Sequence, residues 1–218
     1  ASFSCCCINS APVRTMSELL WEPRALPMMI LPGTSHSDAN RSYRAYTNHA
    51  TGPDEATDPH VLVTVRPAAN LPMPPLRVKT VRYERDVPAV KHLGLFGALH
   101  ARRAARIDGY EDALFVGADD LVSEGGTWNV AFVGEDGIVW PKADVLPGVT
   151  MALLQQIGEH HTAPVTLADA QHMHAAFATN TTIGVRALSA IDDIPMATDH
   201  PLLAQLRDAY LALPGERL

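Results

Sequence analysis

Three short segments of the sequence contain residues whose types and spacing could do chemistry. Lys91 stands after Pro88 among small and apolar residues, where partial desolvation would make its amine nucleophilic. Glu124 is followed by two glycines that would let a ligand approach its carboxylate, which could then keep a ring nitrogen protonated. Val149 and Thr150 begin a predicted helix, whose free N–H groups suit a phosphate. Each segment alone is also typical of an ordinary surface lysine, a turn glutamate or a simple helix start.

The elements that must position these residues form a mixed α/β pattern. A proline-rich connector at Leu71–Pro75 has the composition of an interdomain linker, and strands alternate with a few helices after it. The predicted strands are 61–65, 76–83, 113–116, 121–123, 127–133, 138–140, 177–179 and 183–188, and the predicted helices are 93–107, 149–160 and 201–211. Lys91 therefore falls between a strand and a helix, and Glu124 falls at a strand end.

The first part of the chain differs from the rest. Residues 1–58 are rich in proline, serine, threonine and asparagine and have little periodicity, so we predict neither a long helix nor a strand pair there. We expect an atypical or remnant N-terminal region over residues 1–70 and a C-terminal domain over residues 71–218. The irregular first region alone could also serve as a surface interaction module.

The composition of the chain argues against some classes of partner and indicates a cellular location. The 218 residues carry a net charge of -7, so we predict no nucleic-acid partner, because phosphate backbones need a basic face. The apolar stretch 25–31 is interrupted by Pro27 and is too short to span a bilayer, so we predict no membrane segment. All cysteines lie at 5–7, and their absence elsewhere fits a reducing cytoplasm, which is the location we expect.

Paired histidines are the only hint of a metal site. His160-His161 and His172 with His174 have no acidic or cysteine ligand at a metalloenzyme spacing. We therefore predict no metal ion.

Taken in their order along the chain, the candidate segments resemble the class IV aminotransferases, also called fold-type IV enzymes of pyridoxal phosphate (PLP). That family has a lysine before a helix, a glycine followed by an acidic residue and an Ala-Leu strand, and a Ser-Glu-Gly with an asparagine five residues after the glutamate. A Trp/Thr-Pro pair, a Leu-x-Gly-Ile/Val-Thr segment, a Phe strand and an Ile-Asp follow. The matching residues here are Lys91, Gly109, Glu111–Leu114, Ser123–Gly125, Asn129, Trp140-Pro141, Leu146–Thr150, Phe177–Thr182 and Ile191-Asp192.

The resemblance covers about residues 60 to 213, and it implies a fold. The large C-terminal domain of this family mixes strands and helices, and we expect that domain here with an incomplete small N-terminal domain. Family members are usually homodimers with the site near the interface, so the resemblance also implies a homodimer.

The resemblance further implies roles for single residues. Lys91 would bind PLP covalently and move the proton at the α-carbon of the substrate. Glu124 would hold the pyridine nitrogen protonated, so that the ring acts as an electron sink. Asn129 would order the strand behind Glu124, as a supporting residue of the cofactor site.

The phosphate of PLP would be held by a second group of residues. The resemblance assigns it to the backbone amides of Val149 and Thr150 and to the Thr150 hydroxyl. Thr181 would add a further hydroxyl. These assignments complete the cofactor-binding set that we expect.

Two features depart from the family pattern. Phe96 stands where family members often have a tyrosine that touches the phenolic oxygen of the cofactor, and phenylalanine cannot donate that hydrogen bond. Family members also have a complete small domain that supplies an arginine to the phosphate. Residues 1–58 do not resemble that domain, and neither Arg24, Arg41 nor Arg44 can be matched to that arginine.

The expected function is a PLP-dependent transfer of an amino group between an amino acid and a 2-oxo acid. An alternative within the same fold is a lyase that splits aminodeoxychorismate into 4-aminobenzoate and pyruvate. The altered N-terminal region keeps open a non-catalytic remnant or binding protein of the same fold.

Overall fold

The computed structural model describes residues 70–214 with their side chains, and the backbone of two earlier strands, 41–47 and 61–67. Strand β1 (Arg41–Thr47) pairs antiparallel with strand β2 (Val61–Pro67), with Thr47 opposite Val61. No strand pair was predicted within residues 1–58, and strand β1, whose partner β2 lies beyond residue 58, was missed. The sequence of β1 alone did not indicate a strand, because β1 depends on pairing with β2, which begins only at Val61. Most of the predicted remnant region, with the cysteines and Arg24, lies outside the described residues.

Nine further strands and four helices follow in the described part of the chain. The strands are β3 (Leu76–Arg82), β4 (Asp112–Val116), β5 (Val122–Gly125), β6 (Asn129–Gly134), β7 (Gly137–Pro141), β8 (His160–Ala163), β9 (Ala175–Asn180), β10 (Gly184–Ile191) and β11 (Ile194–Pro195). The helices are α1 (Phe96–Ile107), α2 (Val149–Ile157), α3 (Leu167–Ala170) and α4 (Pro201–Leu211). The mixed α/β fold predicted from the sequence is confirmed.

Six of these strands pair in a closed ring. Strand β3 pairs with β4 in parallel, and β4 with β5 and β5 with β6 are antiparallel pairs. Strand β6 then pairs with β9, and β9 with β10, both antiparallel. Strand β10 closes the ring by pairing in parallel with β3, with Leu188 opposite Leu76. Strands β7 and β8 extend from β6, and β11 extends from β10.

Alternation along the strands divides the apolar side chains between the inside and the outside of the ring. The inside holds one buried cluster that includes Leu114, Val130 and Phe132. A second cluster lies on the outer side of β6, β7, β9 and β10, beneath α2 and α4, and includes Phe177 and Leu203. A third cluster packs the alanines of α1 against Ala113 and Phe115. Each helix that borders the candidate site is thus fixed to the ring by apolar burial.

The limits of the predicted helices differ from the structure at two ends. Helix α1 begins at Phe96 rather than Leu93, because residues 93–95 form a turn in which the Leu95 N–H donates to the Leu93 carbonyl at 2.7 Å. It ends at Ile107, and Gly109, with φ of 88°, takes the left-handed conformation that stops a helix. Helix α2 ends at Ile157 rather than at 160. Only α4 has its predicted limits at both ends.

Three short elements were not predicted. Strand β8 (His160–Ala163) is polar and largely exposed, so no apolar alternation marks it, and it depends on parallel pairing with β7. Strand β11 has only two residues. Helix α3 begins with a capping box between Thr166 and Asp169, a signal that the sequence does carry. Among the residues that the structure describes, no helix has the length and apolar character needed to cross a membrane.

Candidate functional site

Three polar side chains form a row across neighbouring strands. Glu124 of β5 lies opposite Asn129 of β6, and Asn129 lies opposite Thr179 of β9, so all three point to the same face. This face is the outer side of the ring beneath α2, because Phe177, two residues before Thr179, belongs to the cluster there. The three side chains are buried, with exposed fractions of 4%, 6% and 0%. A buried polar row of this kind is the part of the fold best suited to bind a polar ligand.

The segment that precedes α2 is fixed to this row by hydrogen bonds. The Asn129 side-chain amide donates to the Leu146 carbonyl at 2.8 Å, and the Leu146 N–H donates to Glu124 Oε2 at 3.3 Å. Gly148 passes so close to Asn129 that an added Cβ would lie 2.2 Å from Asn129 Oδ1. Asn129 therefore supports both the strand behind Glu124 and the start of the helix beside it.

The start of α2 has free backbone donors next to this row. Gly148 at the N-cap offers no side chain, and the first turn has no acidic residue, so the amides of Val149 and Thr150 keep their capacity to bind an anion. The Thr150 side chain is buried, and its hydroxyl lies 3.5 Å from the Tyr210 hydroxyl of α4. That the Thr150 hydroxyl also binds a phosphate stays a prediction.

Thr181 lies exposed in the turn between β9 and β10. Asn180 organises that turn, because its Oδ1 accepts hydrogen bonds from the N–H groups of Thr182 and Ile183 at 2.8 and 3.0 Å. The Asn180 side-chain amide also donates to the Thr127 carbonyl at 3.0 Å, which ties the turn to the loop between β5 and β6. Below the turn, the buried Thr179 hydroxyl has no hydrogen-bond partner within the described residues.

Lys91 lies in the loop between β3 and α1. The loop is held by a turn in which the Val90 N–H donates to the Val87 carbonyl at 3.0 Å, and by His92, whose Nε2 lies 2.9 Å from the Asp86 carbonyl. Val87 has φ of 46°, a strained conformation for a β-branched residue. The sequence predicted a partly desolvated lysine, but Lys91 is exposed in the structure. The neighbouring Val90 is also exposed, at 41%. Apolar neighbours in the sequence do not bury Lys91 because they face outward too.

Arg85 was not predicted as a site residue. Its Nη1 lies 3.2 Å from Glu124 Oε1, and its Nη2 donates to the Val90 carbonyl at 3.3 Å. The side chains of Arg85 and Glu124 are 9% and 5% exposed. No sequence signal distinguished Arg85, because it stands between Glu84 and Asp86 in what resembles a solvated charged segment.

The protonation of Glu124 reflects opposing influences. Burial raises the pKa of the Glu124 carboxyl above its ordinary value and is the largest cause. The Arg85 charge and its hydrogen bond, the Leu146 N–H and the Lys91 charge all act in the other direction and lower that pKa. Of these influences, the Lys91 charge is the smallest.

A second buried network supports the strand that carries Glu124. Asp112 Oδ1 accepts hydrogen bonds from Arg102 Nε and from the Ala113 N–H, both at 2.8 Å, and Asp112 Oδ2 accepts from Trp128 Nε1 at 3.2 Å. The Trp128 ring lies across Gly125, where an added Cβ would be 2.0 Å from it. The glycine after Glu124 is therefore required by packing against Trp128.

Two remaining expectations concern Phe96 and metal ions. Phe96 is 82% exposed at the start of α1, and its ring stacks on His100 with centroids 5.9 Å apart. Among the described residues, no three histidine, cysteine, aspartate or glutamate side chains lie together as a metal site would need.

The sequence pattern of one protein family, described as amino-transferase class IV, matches residues 34–191. The match begins earlier than residue 60, where the motif resemblance begins, and so includes β1 and β2. A search of curated proteins found no match.

Solved structures of similar fold come from several organisms. A candidate 4-amino-4-deoxychorismate lyase from Legionella pneumophila is 22% identical, with a TM-score of 0.66 over 74% of this chain and 64% of that one. A branched-chain amino acid aminotransferase from Thermobaculum terrenum, solved in its PLP form, is 21% identical, with a TM-score of 0.65 over 77% of this chain and 61% of that one. A hypothetical aminotransferase from Mycobacterium tuberculosis is 18% identical, with a TM-score of 0.68 over 80% and 70%. The chain therefore spans 64%, 61% and 70% of the length of these three structures.

Proposed function

The chain belongs to the class IV aminotransferase family, and on that premise we propose that it is a PLP-dependent enzyme that transfers an amino group between an amino acid and a 2-oxo acid. One observation carries the proposal: the buried carboxylate of Glu124 accepts a hydrogen bond from the segment that starts α2 and pairs with Arg85, which also binds the Val90 carbonyl beside Lys91. PLP is a phosphorylated pyridine aldehyde. Its binding requires a nucleophilic amine for the aldehyde, an anionic partner for the ring nitrogen and a helix start that binds the phosphate.

The residues present fit this cofactor. The uncapped start of α2 supplies the amides of Val149 and Thr150, and the exposed hydroxyl of Thr181 lies in the turn that Asn180 ties to the Glu124 hairpin. The buried Thr179 hydroxyl has no partner among the described residues, which suits a site completed by a ligand. We propose that these donors hold the phosphate and that Asn129 keeps the α2 start beside Glu124.

The proposed mechanism assigns one task to Glu124 and two tasks to Lys91. When bound, PLP supplies an electron-poor ring that withdraws electrons from the α-carbon of the substrate. The ionised carboxylate of Glu124 would keep a proton on the ring nitrogen, because the two opposite charges attract each other. Lys91 would hold the cofactor covalently, and its amine would also take the α-proton of the substrate and return it.

A spectroscopic experiment tests this proposal. The sequence has three lysines, Lys79, Lys91 and Lys142, so a covalent adduct can be assigned without ambiguity. Purified protein mixed with PLP should develop a visible absorption band, and borohydride reduction followed by peptide mass mapping should place the adduct on Lys91. A colourless protein with all three lysines unmodified would overturn the proposal and favour the non-catalytic alternative.

Product analysis separates the remaining alternatives. The cofactor-site residues serve a transaminase and an aminodeoxychorismate lyase equally, since only the substrate pocket separates the two reactions. Incubation with amino donors and 2-oxo acids should yield the exchanged pair, whereas the lyase reaction should release pyruvate from aminodeoxychorismate. PLP binding without turnover on either substrate set would favour a binding protein.

We also propose that the enzyme is a homodimer. Three apolar residues beside Lys91 face outward, Leu93 at 81%, Phe96 at 82% and Leu99 at 50% exposure, and Val87 is 64% exposed. A second copy packed on this surface would bury it and would shield Lys91 from water. The cytoplasmic location remains a prediction from the cysteine content alone.

A further inference from the structure

One guanidinium group connects the two parts of the candidate site that would do the chemistry. Arg85 Nη1 contacts Glu124 on strand β5, while Arg85 Nη2 donates to the carbonyl of Val90, the residue before Lys91. The two contacts use different nitrogens of one planar group, so they fix the distance between the carboxylate and the lysine loop. Arg85 itself is nearly buried, which limits its freedom to leave this position.

The contact with Glu124 is needed because a buried carboxylate is costly to keep charged. Glu124 is 4% exposed, and burial favours its neutral form. The groups that oppose this effect are Arg85 from the segment after β3, Lys91 from the following loop and the Leu146 N–H before α2. Arg85 has the largest share, through both its charge and its hydrogen bond.

The contact with Val90 gives Arg85 a second effect on the same site. The loop that carries Lys91 is strained at Val87 and exposed along much of its length. Few apolar contacts therefore hold it, and a hydrogen bond from a nearly buried guanidinium is one of the attachments that define its path. The Arg85 anchor acts at the residue next to Lys91.

We propose that Arg85 is a positioning residue of the cofactor site, which keeps Glu124 ionised for the cofactor's ring nitrogen and holds the Lys91 loop at a fixed distance from that carboxylate. The inference rests on the proposed function, because it assigns Glu124 and Lys91 to PLP. Arg85 makes no direct contact with substrate or cofactor in this proposal. Its effect passes through Glu124 and through the Val90 carbonyl.

A titration of the cofactor-free protein tests the charge effect. The ¹³C NMR signal of the Glu124 carboxyl, assigned with Glu124→Gln, is followed against pH in wild type, Arg85→Met, Arg85→Lys and the exposed control Arg103→Met. The Glu124 titration should move upward in Arg85→Met and stay close to wild type in Arg85→Lys and in Arg103→Met. Arg85→Gln serves as the second neutral variant should Arg85→Met fail to fold by circular dichroism.

A binding experiment on the same proteins then tests the link to the cofactor. PLP affinity at neutral pH should fall about tenfold in the neutral variants, since one charged hydrogen bond is worth about that factor. Their affinity should recover as pH rises and Glu124 ionises, and Arg85→Lys should rescue much of it. A purely structural role would lower affinity equally at every pH.

The outcomes separate the inference from the proposed function. One outcome is that wild type binds PLP on Lys91 while the neutral Arg85 variants match wild type in the Glu124 titration, in PLP affinity and in its pH dependence. That result overturns the inference and leaves the proposed function standing. If wild type binds no PLP, both are overturned. An upward Glu124 titration together with a pH-dependent loss of PLP affinity supports both.

Discussion

The side-chain oxygen Oδ1 of Asn129 lies 2.2 Å from the position that a Cβ atom would occupy on Gly148. Because Asn129 is buried and its amide is already bound to the Leu146 carbonyl, it has little room to withdraw. Gly148→Ala should therefore displace the segment before α2 and weaken the Leu146 contact with Glu124. We expect PLP affinity to fall about tenfold or more, the loss of one charged hydrogen bond.

The matched control for Gly148 is Gly134→Ala. Gly134 is the last residue of strand β6, and an added Cβ there would lie 3.3 Å from the flexible Met173 side chain. This variant should keep wild-type PLP affinity in the same spectroscopic titration. Equal losses in both variants would contradict the role assigned to the Asn129 contact.

Lys91→Ala should remove the covalent attachment of PLP. The reduced adduct should disappear, and turnover should fall by at least about 10²-fold, since the same amine would also move the substrate proton. Lys142→Ala, which removes an exposed lysine, should leave both adduct and rate unchanged. Retained turnover in Lys91→Ala would be incompatible with the proposed mechanism.

Asp112→Ala should destabilise the fold. The change removes a 4% exposed carboxylate that accepts three hydrogen bonds, and it leaves Arg102 and Trp128 without their partner. We expect a loss of about 3 kcal/mol in the free energy of unfolding, measured by urea denaturation. Asp193→Ala removes an ion pair with Arg77 in which Asp193 is 94% exposed, and it should have no measurable effect. Similar losses in both would rule out burial as the cause.

The buried Glu124 should make stability depend on pH in a defined direction. Burial raises the pKa of Glu124 in the folded chain above its value in the unfolded chain, so the folded state binds the proton more tightly. The stabilisation that comes from the tighter binding of this proton is fully present below the pKa of Glu124 in the unfolded chain. It is lost as pH rises through the pKa of Glu124 in the folded chain. Wild type should therefore lose stability relative to Glu124→Gln as pH rises above the ordinary glutamate range. Urea denaturation of both cofactor-free proteins across pH measures the difference, and a constant difference would refute the prediction.

The exposed apolar surface beside Lys91 predicts an effect on assembly. Leu93→Asp should shift the protein from dimer to monomer in light scattering coupled to size exclusion, because a charge cannot be buried without a partner. Ile107→Asp, at the other end of α1 and 67% exposed, should leave the dimer intact. Wild-type protein that remains monomeric at high concentration would show that a second copy does not cover this surface.

The sequence predicted those elements whose signals are local. Helix α4 was predicted with its limits because Pro201 starts it, and the strands of the ring were visible from their β-branched and apolar residues. Strands β1 and β8 escaped prediction since each depends on pairing with a distant partner rather than on its own pattern.

Some residues of the candidate site could likewise be predicted from the sequence, and others could not. Glu124, Asn129 and the start of α2 could be chosen from family motifs, and the structure brings Glu124 and Asn129 together as neighbours across two strands. Arg85 could not be chosen, because its contact with Glu124 spans 39 residues and arises only when β3 and β5 take their places in the ring. Lys91 was expected to be shielded, and burial of that kind depends on tertiary and subunit contacts that local composition does not encode.

The closed ring of strands determines how the candidate site unfolds. A strand in an open sheet can fray from one side, whereas each of the six ring strands is hydrogen-bonded on both sides, so releasing any one of them breaks two ladders at once. The lysine loop leaves from β3 and the carboxylate belongs to β5, so both are attached to the same cooperative unit. On heating, the strands that carry Glu124, Asn129 and Thr179 should therefore stay paired up to a single sharp transition, whereas the lysine loop, which few apolar contacts hold, should open at lower temperature.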